Sequence, residues 1–219
     1  MKIAPSILSV PKKDYPLVIS YLEELKVDML HLDVMDGKFV ENTTYNHLEV
    51  EKIHKQTSLI LDTHVMINDP IKSVCDYIDA GSTYVTFHYE ATDDPIEVIN
   101  LIKSKHAKAG ISIKPNTPVS LIMELLPFID LVLVMSVEPG KGGQKFMESS
   151  LDKIAYLNKV REDHNYNYLI EVDGGINNET IVLAKNAGAD VVVVGSYLMN
   201  SKDLSKTYEE LRKVWDTLL

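Results

Sequence analysis

The chain has 219 residues, with 22 basic and 32 acidic side chains and a formal net charge of −10. An acidic surplus with no basic stripe argues against duplex nucleic acid as a partner, since phosphate neutralisation supplies most of that affinity. Hydrophobic residues at 45% and charged residues at 25% describe a folded globular chain, and no apolar run approaches the ~20 residues that span a bilayer. The N-terminus carries no export pattern and the single cysteine, Cys75, cannot form an intrachain disulfide, so a cytoplasmic protein is expected.

In chain order, short β-rich runs alternate with longer amphipathic ones. Strands are predicted at residues 2–7, 29–34, 59–66, 84–89, 110–114, 131–136, 168–173 and 191–195. Their starts recur about every 27 residues, room for a strand, a helix and two short loops. A helix over 16–25 places Val18, Tyr21, Leu22 and Leu25 on one face. Asn68-Asp69-Pro70 before Ile71, Val74 and Ile78 reads as a capped helix start with proline in its first turn. Asp94-Pro95 before Ile96, Ile99 and Ile102 carries the same signal, as does Asn116-Thr117-Pro118 before Leu121 and Leu125. Asn177-Asn178 opens a helix through Lys185, and a last helix over 204–218 carries Tyr208, Leu211 and Trp215 on one stripe. Ala80-Gly81, Ala109-Gly110 and Ala187-Gly188 read as left-handed helix ends.

Strand–helix alternation with β-branched strands such as Val191-Val192-Val193-Val194 implies a parallel sheet covered by helices. Eight such units predict an α/β fold, a single-domain (β/α)8 TIM barrel over residues 1–219. A doubly wound open sheet is the runner-up, weakened because no Gly-x-Gly-x-x-Gly follows the first strand.

Barrel enzymes carry their chemistry where strands end. His31 and Asp33 lie two apart on one strand and point the same way, into the barrel if Leu30 and Leu32 face the helices. His64 ends the third strand and Asp173 the seventh, so all four can converge. Two imidazoles and two carboxylates suit one divalent metal ion: zinc first, with iron(II), manganese or cobalt as alternatives. A single His-x-Asp is more often a buried polar network, but four such groups on three strands favour the metal.

Gly174-Gly175 after the seventh strand and Gly195-Ser196 after the eighth occupy the two loops that commonly bind phosphate in such barrels. Gly140-Lys141-Gly142-Gly143-Gln144 after the sixth strand reads as a loop able to close over substrate. Met35, Met66 and Met135 lie at strand ends and are either core filler or an apolar wall beside a reactive intermediate. His88 either lines the site or packs with Phe87 and Tyr89. His47, His54, His106 and His164 are expected to be solvated, and Cys75 buried in a helix.

These residues resemble the ribulose-phosphate 3-epimerase family. The matching stretches are Ile3–Leu8, His31–Gly37, His64–Met66, Met135–Phe146, Glu171–Ile176 and Val194–Ser196. They run in family order across nearly the whole chain. The resemblance implies the barrel fold and epimerisation of D-ribulose 5-phosphate to D-xylulose 5-phosphate in the pentose phosphate pathway. It assigns His31, Asp33, His64 and Asp173 to the metal and makes Asp33 and Asp173 the acid/base pair. Ser6 and His64 would then touch substrate. Gly140, Lys141, Gly142, Gly143, Gly174, Gly175, Gly195 and Ser196 would hold the sugar and its phosphate. Met35, Met66 and Met135 would shield the intermediate, and a homo-oligomer is implied. The chain departs from the family pattern at Lys141, where many members carry an aromatic residue, at Glu41, where proline is usual, and at Val10-Pro11. Relatives acting on D-allulose 6-phosphate supply an alternative substrate, and a non-catalytic sugar-phosphate binder a further alternative. A decarboxylase or aldol-type synthase would need a lysine between the acids of the second strand, where His31-Leu32-Asp33-Val34-Met35-Asp36 has none.

Overall fold

The computed structural model describes residues 2–217. Eight strands alternate with the helices: β1 (Lys2–Pro5), β2 (Leu30–Met35), β3 (Leu61–Met66), β4 (Tyr84–His88), β5 (Lys108–Ile113), β6 (Leu131–Met135), β7 (Leu169–Asp173) and β8 (Val191–Val194). Each pairs in parallel with its neighbour, in the order β1-β8-β7-β6-β5-β4-β3-β2. A parallel bridge between Ser6 and His31 joins the two ends of that order, so the ring closes at the level of the candidate site. The fold is the expected single-domain (β/α)8 barrel. Among the described residues no helix is long and apolar enough to cross a membrane.

The period-2 pattern of β2 explains its role. Leu30, Leu32 and Val34 are fully buried in the large apolar layer shared with the helices. Their neighbours His31 and Asp33 are therefore left to face the barrel interior. The β2–β3 register sets His31 beside Asp62, Asp33 beside His64 and Met35 beside Met66. On the far side, Met135 pairs with Asp173.

The helices are α1 (Tyr15–Glu24), α2 (His47–His54), α3 (Val74–Asp79), α4 (Pro95–Ser104), α5 (Ser150–His164), α6 (Thr180–Ala187), α7 (Ser196–Met199) and α8 (Leu204–Thr217). The Asp94 side chain caps α4 by accepting from the Glu97 amide at 2.9 Å. Tyr208, Leu211 and Trp215 of α8 are all buried; the predicted end of that helix at Leu218 lies outside the described residues.

Four expectations are corrected. The burial face of α1 is Tyr15, Ile19 and Leu22, with Tyr21 exposed, because the aromatic tip of Tyr15 is held inside by the Tyr45 hydroxyl at 2.9 Å. After Asn68-Asp69-Pro70 the chain makes a short 3-10 turn (Pro70–Lys72) before α3, and Asp69 sits at φ +55° without capping. After Pro118 there are only two 3-10 turns, Val119–Ile122 and Leu126–Phe128. Pro127 removes an amide donor from this stretch and stops a longer helix. Gly110 lies inside β5 rather than at a helix end; a Cβ there would come within 2.1 Å of the Thr86 hydroxyl oxygen. The left-handed turn after α4 falls instead on His106, at φ +61°. The expected glycine end is present at Gly188, the C-cap of α6.

Candidate active site

At the closing end of the barrel one pocket is lined by Ser6, Asp33, Met35, Met66, Met135, the 138–144 loop, Asp173–Ile176 and Gly195-Ser196. His31 and His64 are fully buried beside Asp33. One ligand atom each from His31, Asp33, His64 and Asp173 fall within 4.8 Å of one another. The Nε2 of His31 and the Nδ1 of His64 are buried without a hydrogen-bond partner. They lie 3.5 and 3.6 Å from the same oxygen, Oδ1 of Asp33. Two unpartnered ring nitrogens aimed at one carboxylate oxygen, with a second carboxylate in reach, form a nitrogen/oxygen donor set that fits a divalent transition metal once the imidazoles are neutral.

Each imidazole is held from behind. His31 Nδ1 bonds Asp62 Oδ2 at 2.6 Å. His64 Nε2 bonds His88 Nε2 at 2.8 Å, and His88 Nδ1 bonds Glu90 Oε2 at 3.2 Å. The Ser6 hydroxyl donates to Asp33 Oδ2 at 2.7 Å. The Ser136 hydroxyl donates to the carbonyls of Asp173 and Gly174, at 2.9 and 2.7 Å, fixing the end of β7. Neither Asp62 nor Glu171 stands out from the sequence alone. Both could be found by extending the period of two backwards, from His64 and from Asp173.

The electrostatics separate the two aspartates. Burial alone would raise Asp33, but the His31 and His64 imidazoles outweigh it and hold its carboxyl well below the usual range. Asp173 has no such donors. Burial, and then the negative charge of Asp33, push it up to about 7. Burial would push His31 down, yet Asp62 and Asp33 raise it well above the ordinary imidazole value. Glu171, fully buried, is pushed well up by burial and by Asp62. Near neutral pH the pocket thus pairs one charged aspartate with one poised to hold a proton.

The other expectations divide. Met35, Met66 and Met135 are buried and line the pocket. Gly174 and Gly175 take φ +124° and +65°, and a Cβ on Gly175 would sit 2.3 Å from the Phe146 amide nitrogen. Glycine is therefore required for that loop to pass so close to its neighbour. Ser196 opens α7 at the pocket wall. His54, His106 and His164 are exposed, whereas His47 is half-buried. Cys75 is half-buried in α3 rather than buried. Two of the departures meet: Lys141 Nζ lies 4.0 Å from Glu41 Oε2, both exposed at the mouth, where solvent makes such a pair weak.

The sequence profile of the group described as the Ribulose-phosphate 3 epimerase family matches residues 2–199. A protein named ribulose-phosphate 3-epimerase from Treponema pallidum is 41% identical over 194 residues, 89% of each chain. One of the same name from Bacillus subtilis is 40% identical over 213 residues, covering 97% of this chain and 98% of its own. The crystal structure of 3-keto-L-gulonate-6-phosphate decarboxylase from Vibrio cholerae superposes with a TM-score of 0.75 at 16% identity. It covers 100% of this chain and 98% of its own, a likeness of fold.

Proposed function

Because the chain belongs to the ribulose-phosphate 3-epimerase family, we propose that it interconverts D-ribulose 5-phosphate and D-xylulose 5-phosphate by inverting C3. The observation that carries this reading is the pair of aspartates, from β2 and β7, brought into one pocket, where the surroundings hold the Asp33 carboxyl low and push the Asp173 carboxyl up. Inversion next to a carbonyl removes a proton from one face and adds one to the other. A planar enediolate presents two faces that one carboxylate does not readily serve, so two groups are needed. Asp33, charged, takes the C3 proton, and Asp173, protonated, delivers one from the opposite side; the reverse reaction exchanges the roles. Ser6, through its bond to Asp33 Oδ2, fixes the carboxylate so that Oδ1 faces His31 and His64. The three methionines keep water from the carbanionic intermediate.

His31 and His64, through the two unpartnered nitrogens, with Asp33 and Asp173, would hold one divalent ion. Such an ion, when bound, supplies electrophilic stabilisation of the negative charge that develops on the substrate oxygens.

The phosphate falls to the Gly174-Gly175 and Gly195-Ser196 loops, where backbone N–H groups favour a dianion without side-chain charge. Gly175→Val would displace the Phe146 backbone and with it these donors. It is expected to raise KM for the phosphorylated sugar on the order of tenfold or more, the scale of one lost charge-assisted bond. Steady-state kinetics on a variant with native circular dichroism checks this, and an unchanged KM would remove the loop from phosphate binding.

The reading as a whole is tested by offering D-ribulose 5-phosphate, D-allulose 6-phosphate and free D-ribulose to the purified protein. Turnover should be greatest for the first and negligible for the last. Preference for the six-carbon phosphate would move the substrate assignment, and binding without turnover of any of the three would make the barrel a binding protein.

A further inference from the structure

Glu90 lies outside the pocket, yet its carboxylate ends a chain of hydrogen bonds that reaches one of the proposed ligands. We infer that Glu90 and His88 are positioning residues that fix the proton of His64 on Nε2 and so keep its Nδ1 free to bind metal. This rests on the metal reading above for its consequence, though not for its geometry.

The direction of the chain follows from donor and acceptor counting. Glu90 Oε1 accepts from the Lys114 amide at 2.8 Å and from the Thr117 hydroxyl. Its other oxygen, Oε2, faces His88 Nδ1. A carboxylate only accepts, so His88 Nδ1 must carry the proton. His88 Nε2 is then an acceptor, and the 2.8 Å contact with His64 Nε2 requires that atom to donate. With its one proton so placed, a neutral His64 presents a bare Nδ1 towards Asp33. A chain of this kind is how a ligating histidine is oriented and kept in one tautomer.

The surroundings hold the chain rigid. The His88 ring lies between His64 and Phe39, with centroids 4.9 and 4.7 Å away. Lys114 Nζ sits over the other partner, Phe39, at 4.1 Å. The loop that grips Glu90 is itself anchored from α5, where Lys153 Nζ donates to the carbonyls of Lys114, Pro115 and Thr117 at 3.0, 2.6 and 2.6 Å. Neither His88 nor Glu90 is among the residues that line the pocket, and the hydrogen-bond chain reaches the proposed ligands through His64.

Glu90→Gln reverses the logic without changing size. The Lys114 amide is a fixed donor, so the glutamine carbonyl must turn to it and the NH2 group must face His88 Nδ1. That nitrogen becomes an acceptor, the His88 proton moves to Nε2, and His64 can no longer donate from its own Nε2. The His64 proton then occupies Nδ1, the atom proposed to bind metal.

The test is long-range 1H–15N correlation of the imidazoles in metal-free protein, together with zinc affinity by chelator competition. In the native protein His64 should show the Nε2–H tautomer and His88 the Nδ1–H tautomer. In Glu90→Gln both should exchange tautomers and zinc affinity should fall ~10-fold or more. A native His64 protonated on Nδ1, or a variant with unchanged tautomers, would overturn the inference, as would a folded variant binding zinc within twofold of native. The native measurement decides even if the variant does not fold. A native protein that binds no zinc would defeat the metal reading alone, leaving the tautomers to decide this one.

Discussion

Asp33→Asn and Asp173→Asn are each expected to lose at least about 10²-fold in epimerisation while keeping the native fold, the contribution of one positioned acid or base. The fold should survive because asparagine at 33 still offers an oxygen to the Ser6 hydroxyl, and because Asp173 is positioned by its backbone, held by Ser136. The two losses should differ in kind. Asparagine at 33 removes the group proposed to take the C3 proton, whereas at 173 it removes the group proposed to deliver one. Both residues are also proposed ligands, so metal content must be measured alongside rate. A variant at either position that keeps its metal and turns over at near-native rate would take that aspartate out of the reaction.

His31→Ala and His64→Ala are expected to abolish tight metal binding and, with it, almost all activity. Each removes a buried nitrogen that has no hydrogen-bond partner. Chelation of the native protein should give the same loss, reversed by adding back zinc, iron(II), manganese or cobalt. The imidazoles bind metal only in their neutral forms, so protons compete with metal and the affinity should fall as the medium is made acidic. Elemental analysis with parallel rate measurements checks both variants. Full turnover by metal-free protein would overturn the metal assignment.

The barrel was legible because its signals are local. Eight β-branched runs and the period of two in His31-Leu32-Asp33 need no knowledge of distant residues. The pocket residues followed, since strand ends in a barrel converge wherever the strands lie in sequence. What was hidden depends on register and on turns. Asp62 meets His31 only through the β2–β3 pairing. Glu90 reaches His88 only because a tight 3-10 turn, Tyr89–Ala91, folds it back beside β4. His88 itself could be read as packing, since Phe87 and Tyr89 flank it; the Nε2–Nε2 contact with His64 is a distance no spacing rule supplies. The absence of an α-helix between β5 and β6 is a different case. Pro127 was visible, but the apolar spacing of Leu121 and Leu125 pointed the other way, and the proline prevailed.

The two-aspartate inversion is most directly tested by running D-ribulose 5-phosphate in deuterium oxide and following C3 by NMR at early times. Proton removal by Asp33 and delivery from a solvent-equilibrated Asp173 predict that newly formed D-xylulose 5-phosphate carries deuterium at C3 while the remaining D-ribulose 5-phosphate keeps its hydrogen. Product that retains the original hydrogen at C3 would mean one group carries the proton between faces, and would contradict the mechanism.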